Sequence, residues 1–343
     1  MNNLNRDNIA DYPVLVTGGT GFLGRALVKR LLDQGRMVRI LARTQSENFT
    51  HERIQFFRGS LTDTDVVNNA CKQCHTVFHV AAKVGVFGKY DDFYETNVLG
   101  TQTIISACKK NAVRRLIYTS TPSVVYNGQN IVNADESLPL TTACPSPYPL
   151  TKAIAEKFVL DSNSLTLGTV ALRPHLIWGI GDTQLIPRVI ARADSGRLKI
   201  IGSGKNKVDM VHVENVVDAH LLAEISSRAL GNAYFITNDE PVFLWEWINN
   251  LLMRLGKNQI NQKIPLPLGL VLGSLAETVW NLFSLKGEPP LTRFIAAELA
   301  KDHWFNISAA KRDLNYSPKV SMKEGTESLV TSLLADGLLR TKL

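Results

Sequence analysis

Tyr148 and Lys152 stand four residues apart, a spacing that puts both side chains on one face of a helix. An ammonium beside a phenol favours the phenolate and draws the tyrosine pKa down from about 10. A tyrosine tuned in this way is a usable general acid or base. Upstream, Tyr118-Thr119-Ser120-Thr121 ends in hydroxyls, and the hydroxyl of Thr121 can hold a carbonyl or alcohol oxygen beside the phenol. Tyrosine–lysine pairs at this spacing are common by chance. This one gains meaning from a glycine-rich turn that comes before it.

That turn is Val14-Leu15-Val16-Thr17-Gly18-Gly19-Thr20-Gly21-Phe22-Leu23-Gly24. An apolar β-branched run ends in glycines, and Phe22, Leu23, Ala26, Leu27 and Leu31 then recur with helical period. Strand, tight turn and helix form the context a dinucleotide fingerprint requires. Gly19, Gly21 and Gly24 fit GxGxxG, while Gly18, Gly21 and Gly24 fit GxxGxxG. The first glycines let the backbone approach a pyrophosphate, and Gly24 lets the helix pack on the strand. The helix N-terminus offers unpaired N–H groups to the phosphates. The second strand, Met37–Ala42, ends about twenty residues past the glycines, where an acid would hold the ribose hydroxyl of NAD. Arg43 stands there instead. A guanidinium cannot accept from a hydroxyl but pairs well with a 2′-phosphate, so NADP(H) is expected. The alternative is a solvent-facing loop arginine.

The elements that must position these residues alternate. Ile54–Phe57 reads as a third strand, followed by Gly59-Ser60-Leu61 and a helix from about Asp63. Thr76–Ala82 is an almost wholly apolar fourth strand, in which His79 reads as a satisfied core histidine. A helix over Phe93–Asn111 carries Asn97, and Leu116–Thr121 gives a fifth strand. Pro149 suits the first turn of the helix bearing Tyr148 and Lys152, and Thr169–Leu172 gives a sixth strand ending at Arg173-Pro174. Strands alternating with helices predict an α/β fold, a doubly wound parallel sheet of Rossmann type. The expected division is a nucleotide-binding part over residues 1–178, with returns near 207–237, and a smaller interleaved substrate lobe over 179–206 and 238–343. Asp209–Val213 and Ala233–Ile236 read as strands returning to the sheet. Ligands of such sheets sit at the carboxyl ends of the strands. Thr17–Gly24, Arg43, Ala81-Ala82, Ser120-Thr121 and Arg173-Pro174 all fall there.

At 343 residues, 45% hydrophobic and 20% charged, the composition is that of an ordinary globular protein. The net charge of +7 comes without a dense Lys/Arg block, so no nucleic acid partner is inferred. Met1–Asp11 is polar and lacks an apolar leader core, so a cytoplasmic location is expected, with Cys71, Cys74, Cys108 and Cys144 as thiols. Cys71-Lys72-Gln73-Cys74-His75 matches a haem-attachment pattern, but that chemistry belongs to exported proteins and the match falls between a helix and a strand. No metal is expected.

Taken together these segments resemble the extended short-chain dehydrogenases/reductases, in the branch of the 3β-hydroxysteroid dehydrogenases, over essentially the whole chain. The carriers are Thr17–Gly24, Val77–Ala82, Asn97 with Gly100-Thr101, Tyr118–Thr121, Tyr148 with Lys152, Leu172-Arg173-Pro174, and Val211-His212-Val213 with Asn215. The resemblance implies a Thr121, Tyr148, Lys152 triad. Asn97 would support a proton-relay water, Lys152 would also hold the nicotinamide ribose, and Arg173-Pro174 would line the nicotinamide pocket. Two departures stand out. The strand-five serine is Thr121, with Ser120 and Ser123 able to share its role, and the acid that commonly follows the glycine after strand three is Ser60, beside Leu61 on the adenine side.

Ala81–Tyr90, Tyr118–Val124, Leu176–Gly179 and Gly287–Phe294 are further similar to the 2-alkyl-3-oxoalkanoate reductases of bacterial olefin synthesis. That likeness implies NADPH-dependent reduction of a lipid-like β-keto acid to the β-hydroxy acid, by a homodimer. A sterol dehydrogenase, a nucleotide-sugar enzyme and a silent NADP-binding regulator remain as rivals. All 5 tryptophans lie in the second half, fitting either a lipid pocket or plain core. The most apolar stretch is Ile264–Leu285. Glu277 and Asn281 are four apart and share one face, which predicts an amphipathic helix with its apolar face inward, walling the alkyl pocket. Lying on a membrane surface is the next reading. Spanning a membrane is disfavoured, because the two polar residues would sit in hydrocarbon.

Overall fold

Val14–Thr17 (β1) is buried along its whole length, as a parallel strand covered on both faces must be. Side chains alternate across the sheet: Val14 and Val16 join one apolar cluster, Leu15 the other. The computed structural model describes residues 9–45 and 50–340. The polar segment that argued against a leader lies almost wholly outside them.

After β1 come Phe22–Asp33 (α1), Val38–Ala42 (β2), Ile54–Arg58 (β3), Thr64–Cys71 (α2) and Thr76–His79 (β4). Tyr90–Tyr94 (α3) runs through a π-helical turn, Glu95–Leu99, into Gly100–Lys110 (α4). Arg115–Thr119 (β5), Ile131–Ala134 (β6), Pro147–Asp161 (α5) and Gly168–Pro174 (β7) follow. Short strands Ile177–Trp178 (β8), Ile200–Ile201 (β9), Lys207–Val208 (β10) and Val211–His212 (β11) flank Leu185–Asp194 (α6). Then come Val213–Ile225 (α7), Asn232–Ile236 (β12), Val242–Phe243 (β13), Leu244–Arg254 (α8), Lys263–Ile264 (β14), Leu266–Leu282 (α9) and Arg293–Glu298 (α10). His303–Phe305 (β15), Ser308–Leu314 (α11) and Met322–Arg340 (α12) end the described chain.

Seven strands form one sheet in the order β12-β7-β5-β4-β1-β2-β3, and every pairing in it is parallel. The winding reverses between β1 and β4, which is where such sheets open a crevice for ligands. α1 packs beside α7 on one face, and α2, α4 and α5 cover the other. A third apolar cluster, around Trp178, Trp245, Leu251 and Leu329, belongs to the C-terminal part. Trp178 and Trp245 are thus core. Cys71 and Cys74, the haem-like pair, are buried free thiols on the α2 side.

Three expectations need correction. Of the segments expected to return to the sheet, only Asn232–Ile236 does so. Val211–His212 pairs with Ile177–Trp178 outside it. Lys207–Val208 joins a separate small sheet, β13-β10-β15-β6, to which Ile131–Ala134 also belongs. A segment from the first half therefore crosses over to tie down the C-terminal part.

The third correction concerns α9, which sits inside out relative to the sequence reading. Its buried positions are Gly269, Gly273 and Glu277. A Cβ on Gly273 would stand 2.7 Å from the backbone of Thr292 and Arg293, so the glycine stripe lets α9 lie directly on the start of α10. Glu277 is carried inward with that stripe. Its carboxylate accepts from the Arg293 backbone N–H and from Arg293 Nε, both at 2.7 Å. The apolar side chains Leu268, Val271, Leu272, Leu275, Val279 and Leu282 point outward, 41–74% exposed. They do not face inward as the sequence reading expected.

Candidate active site

The turn after β1 has room for a backbone ligand and for little else. Gly18 has φ +68°, and a Cβ there would stand 2.8 Å from Ala81 Cα. A Cβ on Gly24 would stand 2.1 Å from the Gly18 carbonyl oxygen. Glycine is required at both positions, one for the crevice wall against β4 and one for seating α1. Gly21 caps α1 without any side-chain hydrogen bond, and Phe22 and Leu23 open the helix, so its first N–H groups face the crevice. A diphosphate fits this cradle. Arg43 lies just past the end of β2, exposed and with no ion-pair partner among the described residues. Ser60 is exposed and bonds Thr62, while Leu61 is buried against Gly100.

His79 supports this wall and does no proton chemistry. Thr101 Oγ1 donates to the Asn97 carbonyl oxygen at 2.5 Å, so it must accept from His79 Nε2 at 3.0 Å. His79 Nδ1 then accepts from Thr17 Oγ1 at 2.8 Å, and that oxygen accepts from the Ala81 N–H at 3.1 Å. Burial pushes the imidazole pKa down to about 3, so the ring stays neutral. The chain of four partners fixes Ala81, and Ala82 after it, against the glycine turn.

α5 presents the acid–base pair, but its electrostatics differ from the sequence expectation. Tyr148 is within hydrogen-bond reach of Thr121, and burial raises the phenol to about 12 in spite of that bond. Lys152 Nζ does not face the phenol. It donates to the Thr119 carbonyl oxygen at 2.7 Å and lies 4.0 Å over the Tyr118 ring. Burial pulls its pKa down to about 7, opposed by the Glu156 carboxylate. Burial therefore keeps the phenol protonated and loosens the hold of Lys152 on its proton. The expected ammonium-induced phenolate is absent because desolvation outweighs the pairing. What stands at the strand end is a protonated phenol beside a hydroxyl, the form that can give up a proton. Thr121 also caps the following turn, accepting from the Ser123 N–H at 3.3 Å and lying 3.0 Å from Ser123 Oγ. Ser120 Oγ is buried with no partner among the described residues.

Asn97 and Arg173 both have their side chains engaged within the fold. Asn97 lies in the π-helical turn, where its Oδ1 accepts from the Lys83 N–H at 2.8 Å. Its Nδ2 donates to the Lys83 carbonyl oxygen and to Thr151 Oγ1, each at 3.1 Å. Its side chain thus ties the loop after β4 to α5. The Arg173 guanidinium does not open toward the crevice. It forms a fork on the buried Glu156 carboxylate at 2.5–3.2 Å, under α5, and lies 5.0 Å from the Phe235 ring centroid. A buried arginine needs that partner. Glu156 was missed by sequence reasoning, although the signal was there: Tyr148, Lys152 and Glu156 form an i, i+4, i+8 ladder on one helix face.

The two segments quoted for subfamily likeness meet in space. Glu288 Oε1 accepts from the Val86 N–H at 3.0 Å, and its other oxygen pairs with Arg188 of α6 at 3.0 Å. The loop after β4 is thus held at Lys83 by Asn97 and at Val86 by the C-terminal part. A Cβ on Gly85, whose φ is +142°, would stand 2.9 Å from that carboxylate oxygen. Nearby, His175 Nδ1 donates to Asp209 at 2.5 Å, and His175 Nε2 lies 3.1 Å from His303 Nδ1. His303 Nε2 in turn donates to the Glu298 carbonyl oxygen at 2.8 Å. This buried chain joins the end of β7 to β15. His175, Glu298 and His303 have possible metal-ligand atoms within 4.8 Å of one another, but the four ring nitrogens already have partners.

A parallel sheet that reverses at a glycine cradle, with a tyrosine, a lysine and a hydroxyl at neighbouring strand ends, defines a nicotinamide-dependent oxidoreductase of the extended short-chain dehydrogenase/reductase class. The profile of the 3-beta hydroxysteroid dehydrogenase/isomerase family matches residues 15–268, and the chain belongs to that family. It is similar to a 2-alkyl-3-oxoalkanoate reductase of Stenotrophomonas maltophilia, 42% identical over 94% of this chain and 99% of the relative. It is also similar to a mouse sterol-4-alpha-carboxylate 3-dehydrogenase, decarboxylating, 36% identical over 92% and 90% of the two chains. Among solved structures, MoeE5 in complex with UDP-glucose and NAD is 25% identical over 94% of this chain and 99% of that one, with a TM-score of 0.74. No described helix is long and apolar enough to cross a membrane.

Proposed function

We propose that the protein reduces the ketone of a 2-alkyl-3-oxoalkanoic acid to the alcohol, with NADPH as the electron source and Tyr148 as the general acid. The observation that carries this reading is the 42% identity, over nearly the whole of both chains, to a reductase of that name. The mouse relative supports the substrate class, because its name places a carboxylate on the carbon next to the reacting one. Both names describe a carboxylic acid with oxygen at the β-carbon. A substrate of that kind is the common denominator.

The residues present fit a dinucleotide. Gly18, Gly21 and the α1 N-terminus would take the diphosphate, Ser60 and Leu61 would flank the adenine, and Ala81 and Ala82 would line the crevice. Lys152 would hold the nicotinamide ribose, and the backbone at Pro174 would border the ring. Arg43 is the reason to favour NADPH: an exposed guanidinium without an ion-pair partner lies where a 2′-phosphate would come. The bound cofactor supplies hydride. Everything else falls to this chain. Thr121 holds the ketone oxygen, Tyr148 donates its phenolic proton to that oxygen, and Lys152 holds charge near the phenolate left behind. A phenol kept protonated by burial suits the reductive direction.

Oxidation of NADPH, followed by absorbance against a panel of β-keto acids, 3-ketosteroids and UDP-sugars, tests the proposal. Turnover confined to β-keto acids is the expected result. Turnover of sterols alone would hand the reading to the sterol dehydrogenases.

A further inference from the structure

We propose that His175 and His303 hold three ring protons between them, so that a buried imidazolium joins the end of β7 to β15. The count of donors carries this. The outer nitrogens, His175 Nδ1 and His303 Nε2, meet acceptors: the Asp209 carboxylate at 2.5 Å and the Glu298 carbonyl oxygen at 2.8 Å. Both nitrogens must therefore bear hydrogen. A neutral imidazole has hydrogen on one nitrogen only. Two neutral rings would thus turn bare lone pairs on each other at the inner contact, His175 Nε2 to His303 Nδ1, which is 3.1 Å long. The ring planes stand at 65° with centroids 4.9 Å apart, so this contact is not a stack. One further proton makes it a hydrogen bond.

The charges around the pair agree. Asp209 is wholly buried, and no lysine or arginine pairs with it among the described residues. Its other oxygen accepts from the Phe305 N–H at 2.7 Å, a bond that favours the ionised carboxylate. A buried carboxylate needs a cation beside it, and His175 is the group in place. Burial lowers the His303 pKa, so the positive charge rests on His175. Glu298, from α10, is the second carboxylate facing the pair, 3.9 Å from His303 Nε2. Beyond it lie the Tyr126 phenol and the Cys144 thiol, both pushed up to about 12 by burial and so uncharged. Phe305 stands edge-on to His175, with ring centroids 5.3 Å apart. His175 follows the last residue of β7, and His303 opens β15 of the small sheet. The imidazolium is therefore a joint between the large sheet and the C-terminal part. Above about pH 6.5 a histidine in the unfolded chain is neutral, whereas the joint keeps its proton. Its contribution to stability is then full in acid and falls as the pH rises. Once the third proton leaves, the facing lone pairs part the joint.

The test is nitrogen NMR of the full chain labelled at its histidine rings, near pH 7.5, with signals assigned through His175→Gln and His303→Gln. The wild type should show hydrogen on both nitrogens of His175 and on Nε2 of His303. Asp209→Asn supplies the contrast. Its amide can donate to His175 Nδ1 while its oxygen keeps the Phe305 N–H, so two neutral rings then satisfy every partner and the third proton should leave. Urea titrations of both proteins between pH 7 and 8.5 give the ratio of their folding constants, wild type over variant. That ratio should fall about tenfold per pH unit. A wild-type pair with only two ring protons, a bare His175 Nδ1, or a ratio that does not change with pH overturns the proposal. So does one equivalent of zinc in the purified protein, which would put a metal where the third proton is assigned. If Asp209→Asn does not fold, the wild-type count of ring protons decides alone.

Discussion

Replacing Lys152 by methionine keeps the side-chain stem and removes the ammonium, which isolates what burying that charge costs the fold. The lysine pKa is lowered from 10.5 to about 7. Between those values the unfolded chain holds a proton that the folded chain does not, so stability rises with pH across that window. A shift of roughly 3.5 units at about 1.4 kcal/mol per unit corresponds to about 5 kcal/mol. The penalty is present in full below pH 7 and is relieved by about pH 10.5. Methionine carries no such penalty. It does leave the Thr119 carbonyl oxygen without its donor, an offset that does not change with pH. The difference in unfolding free energy, wild type minus Lys152→Met, should therefore climb by about 1.4 kcal/mol per pH unit from pH 7 upward. Urea titrations of both proteins at pH 7, 8, 9 and 10, followed by fluorescence, measure it, and other alkaline titrations cancel in the difference. At neutral pH the variant should be the more stable protein and a poor enzyme. A flat difference would mean that Lys152 keeps an ordinary pKa in the fold, and the electrostatic account of the site would go with it.

Tyr148→Phe should abolish turnover while NADPH binding, read by fluorescence, stays near wild type, because the phenol acts in the transition state. Retained turnover would rule out the assigned acid. Arg43→Asp should weaken NADPH by roughly 1.5–3 kcal/mol more than NADH, the range for a hydrogen bond to a charged group. Comparing the two cofactors' KM values decides it. Glu156→Gln strands the Arg173 guanidinium inside the fold and should cost about 3–5 kcal/mol of stability in urea titration. It should also push the Lys152 pKa lower still, since Glu156 is the group that raises it. Glu288→Ala frees the Val86 amide, so hydrogen exchange at residues 84–88 should quicken.

Legibility in the sequence followed the range of the interactions. β1, the glycine turn and the core role of His79 were readable because each rests on neighbours within a few residues or on a run of one polarity. The small sheet was not readable: two-residue strands leave no periodic signal, and β6 finds β15 across more than half the chain. The inversion of α9 has a sharper cause. Periodicity shows that Glu277 and Asn281 share a face, but it does not say which face is covered. Here the glycines chose the buried side, because only that stripe allows α10 to approach, and Arg293 made the buried carboxylate tolerable. The Tyr148–Lys152 spacing was read correctly as one helix face, yet proximity in sequence did not give contact in space. The Thr119 carbonyl and the Tyr118 ring took the ammonium first.

The π-helical turn at Glu95–Leu99 has a bearing on how the chain can change over evolutionary time. It winds one surplus residue into an otherwise continuous rod, so the helix before it and the helix after it are out of phase. The phase of the Asn97 side chain, clamped on Lys83, is thereby set separately from that of Ile104 and Cys108 in the core under α4. Removing one residue within the turn would return it to an ordinary α-helical turn, so both halves could keep their present faces. What such a deletion puts at risk is the Asn97 clamp on Lys83, because Asn97 sits inside the bulge itself. The segment can therefore absorb a change of length here that a regular helix could not.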